Sequence, residues 1–152
     1  MSLFQGINTS ASALTANRLR LDTIASNIAN AETTRANFVN GVWQPYQRKM
    51  VELSPKSGES FDNLLQAAVG NITGKNGDQG VRVTAIKEDQ TPFKRVFDPS
   101  HPDADQDGYV LMPNVDVMKE MVDMISASRT YEANVTVLNA SKSMMMKALE
   151  IR

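Results

Sequence analysis

The sequence predicts an α+β fold in which long N- and C-terminal helices pair as a coiled coil beside a small β-rich middle. Two observations carry this expectation. Both ends repeat apolar residues at alternating steps of three and four. From Phe4 the series runs through Ile7, Ala11, Leu14, Arg18, Leu21, Ala25 and Ile28; from Val117 it runs through Met121, Met124, Ser128, Tyr131, Val135, Leu138, Lys142, Met145 and Leu149. Such a stripe, two positions wide in each heptad, is the seam of one helix laid against another. In addition, all 6 prolines lie within residues 45–113 and every glycine except Gly6 within 41–108, which confines helix breakers to the middle.

The chain accordingly divides into residues 1–30, 31–113 and 114–152. The first helix is expected over residues 2–30, about 40 Å at the usual rise per residue. Thr33, Thr34, Asn37, Asn40 and Gly41 read as loop. Residues 46–53 alternate and stop at Ser54-Pro55, a strand pattern, while Phe61, Leu64, Leu65, Ala68 and Val69 have the spacing of a short amphipathic helix. A glycine-rich loop follows over 71–80. Val81, Val83 and Ala85 alternate with Arg82 and Thr84, and residues 94–97 and 109–112 are two more short β candidates. Pro113 precedes the last helix, where Asn114 or Asp116 can accept from the free N–H groups of the first turn. That helix would extend about 50 Å.

At 152 residues the chain has the length of one domain. Two thin helices occupy much of it, however, so the middle buries only a small core and the chain gains by associating. A formal charge of −1 with 22% charged residues gives no basic footprint for nucleic acid and little attraction to a membrane surface. No apolar run reaches the roughly 18 residues of a membrane span, so direct membrane insertion is not expected. The N-terminus lacks the basic start, apolar stretch and cleavage site of a Sec signal peptide. Absence of cysteine removes disulfides, thiol catalysis and zinc-thiolate sites together.

Several strings imitate reactive motifs. Asp103, Asp105 and Asp107, followed by Gly108, reproduce the first half of a calcium loop, but position twelve falls on Asn114, where a bidentate carboxylate is required. The loop therefore reads as a structural turn. Residues 70–75 have neither the spacing nor the hydroxyl residue of a phosphate loop. His101 is the single histidine, so no Ser–His–Asp set can be built. No cofactor, metal or catalytic residue is expected, and the chain reads as a non-enzyme.

Chemistry thus concentrates in the seams. The expected assembly interface is Phe4, Ile7, Leu14, Leu21 and Ile28 on the first helix and Met121, Met124, Tyr131, Val135, Leu138, Met145 and Leu149 on the last. Arg18 and Lys142 interrupt the seams, and polar residues at such positions fix register. With antiparallel helices Arg18 would approach Ser128 or Glu132. Between Met118 and Met146 lie methionines whose flexible thioethers suit slightly different neighbours. Phe93 and Phe97, four apart, are expected to face a β core, with an export-recognition pair as the other reading.

The string LDTIASNIANAETT, residues 21–34, resembles the N-terminal signature of the bacterial flagellar rod and hook protein family. Residues 114–151 resemble that family's C-terminal helix, and residues 80–116 are similar to the middle of its proximal-rod members. The resemblance implies a structural subunit of the flagellar basal-body proximal rod. It further implies export through the flagellar type III pathway without a cleaved signal, polymerisation in the periplasm through the terminal helices, and torque transmission from motor ring to hook. Implied partners are copies of the chain, other flagellar rod proteins, the motor ring and the export apparatus. An exported adaptor or translocator that binds one partner through its helices is the alternative, and a calcium-regulated binding module a weaker one.

Overall fold

The computed structural model describes residues 3–39, 41–56 and 80–150. Along them run α1 (Leu3–Ala29), β1 (Asn37–Val39), β2 (Val42–Gln44), β3 (Lys49–Pro55), β4 (Val81–Glu88), β5 (Lys94–Phe97), β6 (Tyr109–Met112) and α2 (Val117–Glu150). The short helix expected at 61–69 and the glycine-rich loop up to residue 79 lie outside the described residues.

The helices pack against each other in an antiparallel pair. The end of α1 lies beside the start of α2, where Asn27 Nδ2 donates to Glu120 Oε2 at 3.0 Å. On α1 one buried or half-buried series runs through Ile7, Ser10, Leu14, Asn17, Leu21, Ile24 and Ile28, beside a second that holds the buried Ala16, Thr23 and Asn27; on α2 one runs through Glu120, Met124, Ala127, Tyr131, Asn134, Leu138, Ser141 and Met145. Both long series alternate three and four, so the heptad expectation holds in period. One column of each seam, however, sits one residue away from its expected place. Ser10, Asn17 and Ile24 face inward instead of Ala11, Arg18 and Ala25, and Glu120 and Ala127 are buried while Met121 is exposed.

The displacement has a physical cause. Polarity marks Ser10, Asn17 and Glu120 as outward residues, yet each is small or hydrogen-bonded. Asn17 Nδ2 donates to Ala13 O at 3.0 Å, so this polar group enters the seam already paired within its own helix, as the buried Thr23 does beside the seam by donating Oγ1 to Leu19 O at 2.8 Å. Asp116 is the residue that caps α2, its Oδ1 accepting from the N–H of Met118 and Lys119 at 3.1 and 3.4 Å.

The middle consists of three antiparallel pairs: β1 with β2, β3 with β4, and β5 with β6. β3 and β4 lie against α1. Close approach there explains Gly80, whose φ of 111° suits glycine and whose added Cβ would collide with Ser12 Oγ. Ser12 Oγ instead accepts from Val81 N at 3.1 Å. The β1–β2 hairpin stands where a loop was expected. Val39 pairs with Val42 across the turn, and Gly41 has a φ of 83°. Asn40-Gly41 between Phe38-Val39 and Val42-Trp43 is the sequence signal for a tight hairpin.

Candidate assembly surfaces

Among the described residues, the buried apolar core is small: Ala16, Ile24, Tyr46, Val110, Val115 and Ala127. Much apolar surface faces outward. On α2, Met118 is 72% exposed, Met121 47%, Val122 65% and Ile125 63%. Their spacing of three, one and three places them on one stripe of the helix. That stripe lies on the side of the helix turned away from the inner seam, so α2 has one face engaged with α1 and an apolar one without a partner in the subunit. Farther along, Val137, Met144, Met146 and Leu149 are also exposed. The hairpins add Phe38 against Trp43, with ring centroids 5.1 Å apart, and Phe97 against Tyr109 at 5.3 Å.

The expected interface residues therefore divide. Ile7, Leu14, Leu21, Ile28, Met124, Tyr131, Val135, Leu138 and Met145 are half-buried, Met121 and Leu149 are exposed, and the side chain of Phe4 lies outside those described. Arg18 and Lys142 are exposed beside the seam rather than inside it. Glu132, which with Ser128 was one of the two expected neighbours of Arg18, accepts from Arg129 at 3.1 Å within α2. Phe97, expected in a β core, is 64% exposed, whereas Phe93 is half-buried. Met118, Val122, Ile125, Phe38 and Trp43 were not singled out as interface residues. The three-four spacing starting at Met118 was the legible signal for the first three.

Where the helix pair meets β3, a buried polar joint replaces an apolar core. Asn27 is 1% exposed. Its amide oxygen accepts from Lys49 N and Tyr46 Oη, both at 3.0 Å, and its nitrogen donates to Lys49 O at 2.9 Å and Glu120 Oε2 at 3.0 Å. This side chain thereby grips the main chain of β3 much as a neighbouring strand would. Arg48 donates through Nε and its terminal nitrogen to Glu120 Oε1, each at 2.6 Å, and reaches Asp89 Oδ2 at 3.4 Å. Asn114 Oδ1 accepts from Arg48 N at 2.8 Å. Burial works against the Arg48 charge, but Glu120 and Asp89 outweigh it and hold its pKa above the ordinary value. The Thr91 N–H and hydroxyl, followed by Arg48, hold Asp89 below the usual carboxylate range.

One carboxylate of the aspartate loop makes a structural tie. Asp103 accepts from Thr34 Oγ1 at 2.7 Å and forms a two-pronged pair with Arg35. Arg35 first, then Thr34, keeps its carboxyl below the ordinary value. The loop thus ties the turn after α1 to the β5–β6 connection, and among the described residues no group of three His, Asp or Glu side chains converges as a metal site.

A model of the flagella basal body rod protein family matches residues 7–36, and one described as flagellar basal body rod FlgEFG protein C-terminal matches residues 106–151. The flagellar basal-body rod protein FlgC of Bacillus subtilis is 54% identical over 99% of both chains. The chain belongs to the FlgC family. FlgC proteins of Borreliella burgdorferi and Salmonella typhimurium are 44% and 43% identical, each over 99% of this chain and 98% of its relative. The FlgC family is structural and not catalytic, a component of the flagellar basal-body rod. The exposed α2 stripe and aromatic hairpins are the main apolar surfaces left uncovered among the described residues.

Proposed function

We propose that the chain polymerises into the proximal part of the flagellar rod through the outer face of α2 together with the hairpin faces. Copies of itself and other rod proteins would bury them, with the motor ring and export apparatus as further neighbours. The carrying observation is the exposed stripe Met118, Met121, Val122 and Ile125 on a helix whose other apolar face already meets α1. Complete burial of one such side chain contributes about 1.5–3 kcal/mol. These four are already partly covered, so the stripe contributes roughly 4–7 kcal/mol, within the roughly 4–15 kcal/mol lost on association.

One stripe is therefore insufficient, and stable placement needs contacts on several faces. A lattice of subunits supplies them; an adaptor holding a single partner would leave most of the apolar surface wet. Within such a lattice, closely packed helices resist deformation, which suits transmission of torque from motor ring to hook. A small apolar core also suits a chain exported unfolded by the type III pathway and folded in the periplasm.

Ile125→Asp tests the proposal. The free subunit should fold normally, since this side chain is mostly in water, while rod incorporation and swimming should be lost. Normal swimming by cells carrying Ile125→Asp as their only copy would refute the outer-face assignment.

A further inference from the structure

We infer that Asn27, Arg48 and Glu120 are positioning residues that set the angle between the helix pair and the β3–β4 pair. Glu120 is 1% exposed and is the largest fully buried side chain among those described. It lies in the first turn of α2, Asn27 in the last turns of α1, and Arg48 just before β3. The three side chains thus join all three elements at one point. Every buried side-chain nitrogen and oxygen among the described residues has a partner, so the joint carries no unpaired group.

Stability alone does not account for these residue types. A buried ion pair gains little over apolar side chains of similar volume, because desolvation of both charges offsets their attraction. Apolar contacts are tolerant of rotation and sliding, however, whereas this joint admits few geometries. Asn27 needs both the N–H and the C=O of Lys49, and the Arg48 fork meets Glu120 through two nitrogens. Directional bonds in a closed network select one arrangement. The consequence for rod building rests on the proposed assembly: the α2 stripe and the exposed Met50, Leu53 and Ile86 of β3 and β4 lie on different elements and can meet a lattice together only if the angle between those elements is fixed.

Absence of cysteine makes the angle measurable. Thr84→Cys on β4 and Ala133→Cys on α2, both exposed positions, accept spin labels for a distance distribution in the full-length free subunit. The otherwise unchanged protein should give one narrow distance. Combining Arg48→Met with Glu120→Met should keep cooperative unfolding but broaden the distribution at least twofold. If that double variant does not fold, Arg48→Lys decides the matter, since it keeps the charge and loses the fork; the same broadening is expected. A distribution as narrow as that of the parent, in the folded double variant or in Arg48→Lys, would overturn the inference. Rod incorporation is scored separately: a broadened distance with normal incorporation would sustain the joint and refute the assembly role built on it.

Discussion

Asn27→Ala should be among the most damaging single substitutions in the chain, although it removes only a small polar side chain. It deletes four hydrogen bonds, to Lys49 N, Lys49 O, Tyr46 Oη and Glu120 Oε2, at 2.9–3.0 Å. A buried group left without its partner costs about 1–3 kcal/mol. Lys49 lies near the surface and regains water, so the total should be about 3–5 kcal/mol rather than the full sum of four such terms. For a chain of this length each kcal/mol lowers the melting midpoint by about 2–4 °C, giving a fall of roughly 6–20 °C. Thermal and urea unfolding of the free subunit, followed by far-ultraviolet circular dichroism, would measure it. Asn30→Ala is the matched control: its side chain caps α1 through Ser26 O at 2.8 Å and Thr33 Oγ1 at 3.3 Å, worth about 1 kcal/mol. The reasoning is refuted if Asn27→Ala is no more destabilising than Asn30→Ala.

Other substitutions separate backbone and electrostatic effects. Gly80→Ala should cost more than about 2 kcal/mol, combining a positive φ with the collision at Ser12, whereas Gly41→Ala meets open space and should cost about 1 kcal/mol in urea unfolding. Asp89 and Asp103 have folded pKa values below their ordinary 3.8; the stability they contribute is therefore complete above that value and lost as pH falls through the lower folded values. Acid titration should accordingly destabilise the parent below about pH 4, and Asp103→Asn should flatten part of that slope. Asp103→Asn should lower the melting midpoint while Asp105→Asn leaves it unchanged, and millimolar calcium should shift neither; saturable, micromolar calcium binding by calorimetry would contradict the structural use of this loop.

Legibility in the sequence followed the physics of each signal. Heptad spacing is a property of the helix itself, so helix positions and the recurrence of Leu14, Leu21, Met124, Tyr131 and Leu138 could be read directly. The β5 and β6 strands were equally visible in their short alternating runs. Which neighbouring column completes the seam was not legible from polarity, because Asn17 bonds its own helix and Glu120 finds partners about ninety and seventy residues away in Asn27 and Arg48. A single chain does not mark such distant pairings. The outer stripe was partly hidden for a related reason: Met121 is apolar whether it faces α1 or another subunit, and only the folded geometry divides one broad apolar surface into two faces. The β1–β2 hairpin was legible in Asn40-Gly41 and its apolar flanks, although the surrounding threonines and asparagines favour a loop reading.

Imaging purified basal bodies at side-chain resolution, with this chain assigned in the rod density, tests the central claim most directly. The account predicts that Met118, Met121, Val122 and Ile125 are buried against a neighbouring subunit, that the α1–α2 seam is retained within each subunit, and that the hairpins meet other neighbours. A rod in which this chain is present but the α2 stripe remains in water would contradict it.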